Sequence, residues 1–432
     1  MTKVSTGNTE PRLPWAGKQV RMEDVEETLA QLWHLSADNV RIGQNIRVRT
    51  SVLNFVICAP NLAAAQHASA GLRNLGSTHI GRVILLILNP DPGAPPGVST
   101  WVTLRSFPIV SDMMRHTFEQ VTVLLSGSAA SAADTILQPL FKPDLPVYLW
   151  WLQDVPTDNP LFHHLANSSS RVIVDSHGFF QPEASLMQLA QISRALRDSA
   201  LSDLNWSRIT HWRQLVAQFF DVPAYQRYLE GVFRIEVEHS VLPTDSAEDT
   251  QPARSPIAGA TVNATRALLL AAWLKTSLNW HIDPSHPDNY RDPETGAYTW
   301  HTLHRTGPLH FIPTEETAEG LYPEPVISHS GEGTIFVRPR VQPGLPPGSI
   351  CLVRLSSTVD GKLATFTVNR TDDREHALTV VTLPEGASPP RTVPIPGTQP
   401  AIDLLHEELE IIGRDHLYED TLQEVYQLLS EI

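Results

Sequence analysis

The run Arg82–Asn89 (RVILLILN) constrains the chain more than any other. Its six central residues are all Val, Ile or Leu, with no polar alternation. Such a strand needs apolar cover on both faces, as inside a parallel sheet flanked by helices. Its neighbours fit that setting. Residues 46–58 (IRVRTSVLNFVIC) read as one long strand, and Asn61 is placed to cap an Ala-rich helix ended by Gly76. Thr100–Phe107, Gln120–Leu125, Pro146–Leu152 and Arg171–Asp175 read as further strands. Helical periodicity covers the stretch opened by Ser126-Gly-Ser-Ala-Ala-Ser to about Leu140, then Leu161–Ala166, Glu183–Asp198 and Ser207–Phe220. Strand alternating with helix from about 46 to 220 predicts an α/β domain with a largely parallel sheet between helical layers.

The texture changes after Val232–His239 (VFRIEVEH), which alternates cleanly. Residues 241–256 (VLPTDSAEDTQPARSP) have the composition of a linker. A strong helix over Val262–Trp280 follows, then short strands near 297–303, 333–338, 349–356, 362–369 and 376–382, separated by Pro and Gly. Helices are expected at Ile402–Ile412 and Leu417–Leu429. The reading is a mobile N-terminus (1–16), a three-layer α/β domain (17–240), a linker (241–256), and an α+β domain (257–432) with a mainly antiparallel sheet and C-terminal helices.

Composition narrows the function classes. The 432 residues carry a formal net charge of −15, against the clustered Lys and Arg that nucleic-acid or anionic-membrane binding requires. No apolar run is long enough to span a bilayer, and the first residues lack the apolar core of a secretory signal. Two widely spaced cysteines, Cys58 and Cys351, do not make a disulfide framework. A reducing, cytoplasmic setting is the expectation.

Compact catalytic motifs are missing: the sequence has no P-loop, dinucleotide fingerprint after a strand, GxSxG, HExxH, CxxC or EF-hand loop. No catalytic residue, cofactor or metal site is assigned. Four features carry alternatives. The small-residue turn Ser126–Ser131 can present free N–H groups to a phosphate, or be a tight strand-to-helix turn. Asp175-Ser-His-Gly lies where α/β sites form, or is a capped turn. His163, His164, His281, His301 and His304, with Asp283, contain zinc-ligand types without ligand spacing. Trp150, Trp151, Trp206 and Trp212 are divided between core packing and a protein interface.

The segment Lys142-Pro-Asp-Leu-Pro-Val-Tyr-Leu-Trp-Trp resembles a signature of the OpcA family, the assembly or activator proteins of glucose-6-phosphate dehydrogenase in cyanobacteria and actinobacteria. Arg171-Val-Ile-Val-Asp-Ser is similar to the strand that follows it there. Asp203-Leu-Asn-Trp-Ser-Arg-Ile-Thr-His-Trp-Arg, continuing through Phe219-Phe220-Asp221, resembles a further family segment. Leu268–Leu274 and Leu404–Glu419 extend the likeness into the second half, and LWWLQDVP and DSHGFFQP resemble the cyanobacterial subgroup. The resemblance implies a non-catalytic regulator that binds the dehydrogenase and promotes its active state in the oxidative pentose phosphate pathway. It marks Trp150, Trp151, Trp206, Arg208, Trp212, Arg213, Tyr418 and Glu419 as family-motif or interface residues. It also implies redox regulation through thioredoxin, for which Cys351, at the start of a strand, is the better candidate and Cys58, ending an apolar one, the poorer. The alternative is a sugar-phosphate binder or enzyme using Ser126–Ser131 as an anion site.

Overall fold

The computed structural model describes residues 13–42, 46–48, 52–75, 80–89, 95–111, 114–156, 158–242, 263–305, 330–397, 399–411 and 413–432. They group into two compact units, each built from separate stretches of chain. One holds the residues up to Phe180 with Gln191–Leu204 and Pro400–Asp415; the other holds Gln181–Ala190, Asn205–Gln399 and the residues from His416 onward. The linker expected at 241–256 lies, beyond Leu242, outside the described residues, as do positions 1–12. Leu13 and Ala16 are buried against Trp101. Among the described residues no helix is long and apolar enough to cross a membrane.

The first unit is α/β around a mixed sheet. Its centre is Leu53–Ala59, with Ile80–Asn89 and Met114–Ser126 added in order on one side. Val147–Trp151, Arg171–Val174 and Ala200–Asp203 follow on the other side. Every neighbouring pair among these six strands is parallel. Gly97–Ser111 and Lys18–Val20 complete the far edge as antiparallel strands. Arg82–Asn89 behaves as its sequence demands: Val83 to Ile87 are 0% exposed. Residues 46–58 do not form one strand. Ile46–Val48 pairs with Met114–His116, whereas Leu53–Ala59 occupies the sheet centre. Only the apolar half, Leu53–Ala59, suits the buried middle of the sheet.

The order of strand addition reverses between the parallel neighbours Leu53–Ala59 and Val147–Trp151, the switch point at which open α/β sheets form ligand crevices. The turn after Leu53–Ala59 carries Pro60 and Asn61, and the Asn61 side chain accepts the Ala64 N–H at 2.9 Å. A side-chain cap thus closes a turn that dinucleotide folds leave open with glycine. Asn54, 0% exposed, holds the approach to the next strand: it donates to the Lys142 and Leu145 carbonyls and accepts the Lys142 N–H.

The second unit is built on a mainly antiparallel sheet. Its central strand, Val232–Val241, runs parallel to Ser330–Val341 and antiparallel to Ile350–Val359. Tyr298–Arg305 extends one side; Lys362–Arg370 and His376–Leu383 extend the other. Helix Thr265–Ser277 buries Ala267–Ala272 completely, as expected of a helix apolar all round. Helix His416–Ser430 packs on it through Leu422, Val425 and Leu428. Lys275 pairs with Glu424, and the Trp300 indole donates to the Leu428 carbonyl at 2.8 Å.

Candidate functional site

The family-like segments are mostly structural fasteners. Trp150 is 4% exposed and stacks at 6.3 Å on Phe55, while Trp151 is 1% exposed and donates to the Asp154 carbonyl. Lys142 reaches Glu119 at 3.1 Å. Glu119 also accepts from Arg82 and from the Trp33 indole. Burial pushes the Glu119 carboxyl up, but the Arg82 and Lys142 charges and these hydrogen bonds outweigh it and hold it below its ordinary value. Arg171 is likewise buried. Its guanidinium pairs with Glu408 at 2.8 Å and donates to the Ile411 and Gly413 carbonyls. That clamp fastens Glu408, Ile411 and Gly413 to the first sheet, where Leu404, Leu405 and Leu409 are also buried.

In the second unit Trp206 and Trp212 are 4% and 3% exposed. The Arg213 guanidinium lies 3.7 Å over the Trp206 ring, and Tyr418, fully buried, packs against the same indole. All four tryptophans therefore fill cores, and the division between core and interface resolves to core. The Glu419 side chain is mostly buried, 14% exposed, and lies 3.6 Å from the exposed His416.

Both thiols are free and fully buried. Burial pushes Cys58 up strongly. Burial also pushes Cys351 up, to about 12, against the pull of Arg340 and Arg370. The chain-start position of Cys351 in its strand does not expose it, because Ile350–Val359 lies inside the sheet.

The other sequence candidates separate. Ser126 donates to the Pro95 and Gly97 carbonyls beside the neighbouring strand and Ser131 to the Ser128 carbonyl within the turn, so both hydroxyls are used. Asp175 caps a short 3-10 turn by accepting the His177 N–H. His163 packs edge-on against Phe162, His164 lies 3.5 Å from Asp134, and His304 stacks on Trp280. His281 lies on a strand edge, and Asp283 accepts from Ser285. Only His301 joins a group with metal-ligand chemistry, with His286 and Asp288, which the sequence reading passed over. The two imidazoles stack at 3.6 Å, and His286 Nδ1 accepts the Asp288 N–H. In the neutral ring that bond leaves the proton on Nε2, where a metal would need the lone pair.

A further polar site, built from arginines, lies in the second unit. Arg208, Arg266 and Arg370 line one cavity with Ile209, Trp212 and Gln399. Arg208 ends the helix Leu204–Arg208 and donates to the Gln399 carbonyl at 3.1 Å. Arg266 stands in the first turn of helix Thr265–Ser277, where a cation opposes the helix dipole. It donates to Asn205 at 2.7 Å and Ser349 at 3.4 Å. Arg370 ends the strand Lys362–Arg370 and lies 5.4 Å over Trp212. Arg208 and Trp212 belong to a family-like segment; Arg266 and Arg370 carry no sequence signal.

Comparison with known proteins gives this geometry a context. Residues 73–191 match the sequence model described as the glucose-6-phosphate dehydrogenase subunit N-terminal domain, and residues 199–309 match the corresponding C-terminal domain. The chain belongs to the OpcA family. A relative from Nostoc punctiforme, named OxPP cycle protein OpcA, is 30% identical over 248 residues, covering 55% of this chain and 47% of its own length. A Synechococcus elongatus relative of the same name is 27% identical over 308 residues, 70% of this chain and 58% of the relative. The chain thus spans about half the length of the curated relatives it matches. An oxidoreductase from Erwinia carotovora atroseptica is a distant structural likeness, with TM-score 0.41, 9% identity, and coverage of 88% of this chain and 98% of that one.

Proposed function

We propose that this chain is a non-catalytic assembly factor and allosteric activator of glucose-6-phosphate dehydrogenase, acting in the cytoplasm on the oxidative pentose phosphate pathway. The observation that carries this reading is the pair of domain matches, both described as parts of a glucose-6-phosphate dehydrogenase subunit. The OxPP names of the relatives support the pathway. Activation requires that the chain bind the active state of the dehydrogenase more tightly than the inactive state.

The contact is read on the second unit, but not through the inner faces of the terminal helices, which are core. The sheet face around Phe233, Leu363 and Arg354 offers half-exposed apolar and charged groups. There Arg234, Arg338 and Arg354 surround Glu236, and two of them flank the Phe336 ring. A redox response through thioredoxin would need Cys351 or Cys58 to be uncovered first, since both are buried.

The test is an assay of purified dehydrogenase with and without this chain, paired with light scattering. Activation predicts a higher rate or tighter apparent substrate affinity; unchanged kinetics refute it. A change of mass without a change of kinetics would leave assembly alone. Leu363→Asp should weaken the effect if the sheet face makes the contact.

A further inference from the structure

We infer that the cavity lined by Arg208, Arg266 and Arg370 binds a single phosphate group. This goes beyond the dehydrogenase reading and does not rest on it. Arg370 is only 5% exposed. Its partners are neutral: it donates to the Ile350 carbonyl at 3.0 Å, the Arg374 carbonyl at 2.6 Å and the Pro396 carbonyl at 3.4 Å. Among the described residues no carboxylate forms an ion pair with it. A buried guanidinium satisfied only by carbonyls keeps its desolvation cost without a compensating charge. Burial indeed pulls Arg370 below its ordinary value, and Cys351 opposes this only in part.

Two further guanidinium groups line the same space. Arg266, 9% exposed, and half-buried Arg208 line the same cavity. Arg266 also brings the N-terminal end of a 13-residue helix with no acidic residue in its first turn. A helix N-terminus and converging guanidiniums are each anion-binding devices, and here they coincide. Three cations on three separate elements suit a tetrahedral dianion, whose oxygens point in different directions; one Arg already serves a planar carboxylate.

Size limits the ligand. The cavity measures about 20 Å³, where one buried water needs roughly 10–15 Å³. It takes one or two oxygens of a phosphate group, so the rest of the phosphate and any organic part of the ligand lie outside.

The experiment is isothermal titration of the full chain with inorganic phosphate, glucose 6-phosphate and acetate at low ionic strength. Saturable binding of at least one phosphate probe, with acetate at least about tenfold weaker, is expected. A stronger signal from glucose 6-phosphate identifies a phosphate ester as the natural source; a stronger signal from inorganic phosphate identifies the free ion. Arg208→Gln and Arg370→Gln should each weaken binding about 10- to 100-fold, the loss of one charge-assisted hydrogen bond. Arg21→Gln, an exposed arginine of the first unit, should leave it unchanged. Should Arg370→Gln fail to fold, the half-buried Arg208→Gln decides. No saturable binding of either phosphate probe, acetate binding as tightly, or unaltered binding in Arg208→Gln would overturn the assignment.

Discussion

Acidification from about pH 7.5 to about pH 5 should cost the second unit about 2 kcal/mol through His239 alone. This side chain lies in the central strand, opposite Pro339 on one side and Ile350 on the other. It is 0% exposed, and its ring has no side-chain partner, only a backbone contact at Ser240 that burial outweighs. Burial therefore favours the neutral ring and pulls His239 from 6.5 down to about 4. The unfolded chain accepts the proton first. Stability from the neutral ring is thus complete above 6.5 and is lost as pH falls towards 4. A tenfold difference in proton affinity is worth ~1.4 kcal/mol, so the full loss is about 3 kcal/mol, roughly two-thirds of it reached by pH 5. The assay is urea denaturation of wild type and His239→Leu at both pH values. The variant cannot titrate at this position, so wild type should lose about 2 kcal/mol more than the variant between the two conditions. Equal losses in the two proteins would refute the reasoning, whatever their absolute stabilities.

Three further outcomes are expected. Arg171→Met should destabilise the first unit by about 3–5 kcal/mol in chemical denaturation, because Glu408 is left buried without its cation, and Arg171→Met with Glu408→Met together should recover part of that loss; an additive double variant would show that the pair is not coupled. Glu119→Gln should be less stable than wild type at neutral pH, and the gap should narrow as pH falls below 4.5, since a carboxylate held below its ordinary value contributes stability only while ionised; a gap independent of pH would contradict this. Neither Cys58 nor Cys351 should react with Ellman's reagent at pH 7.5 until denaturant is added, because burial pushes both thiols up; rapid reaction in native buffer would reveal an opening that exposes one of them.

The sequence made the sheet frameworks readable where burial is uniform. Arg82–Asn89 could be nothing but an interior strand, and the alternation of Val232–His239 identified a strand that became the centre of the second sheet. Boundaries were harder wherever local preference and tertiary setting disagree. The hairpin Gly97–Ser111 with Met114–Ser126 runs well past its apolar core, because ladder bonds carry polar residues that periodicity discards. The 46–58 segment failed as a single strand because its two halves meet different neighbours. The expected helix from Ser126 to Leu140 is short α-helix between 3-10 turns, with Pro139 in the last of them. Burial of Cys351 follows from which strand is central, information that lies in pairing and not in composition. The arginine cavity was half legible: a family-like segment pointed to Arg208 and Trp212, but nothing local links them to Arg266 or Arg370, which tertiary folding alone brings to one wall.

The clamp between Arg171 and Glu408 has a consequence for biosynthesis. A chain emerging from the ribosome completes Ala200–Asp203, the last strand of the first sheet, long before residues 401–409 are made. Until then Leu72 and Leu75 lack the cover of Leu404, Leu405 and Leu409, and Arg171 lacks its counter-charge. Domains usually close in the order in which they are synthesised. Here the earlier unit must wait, sticky and incompletely neutralised, while nearly the whole of the later one is translated. Truncation from the C-terminal side should therefore damage the first unit rather than spare it, and nascent chains stalled before residue 400 are the species most in need of a chaperone.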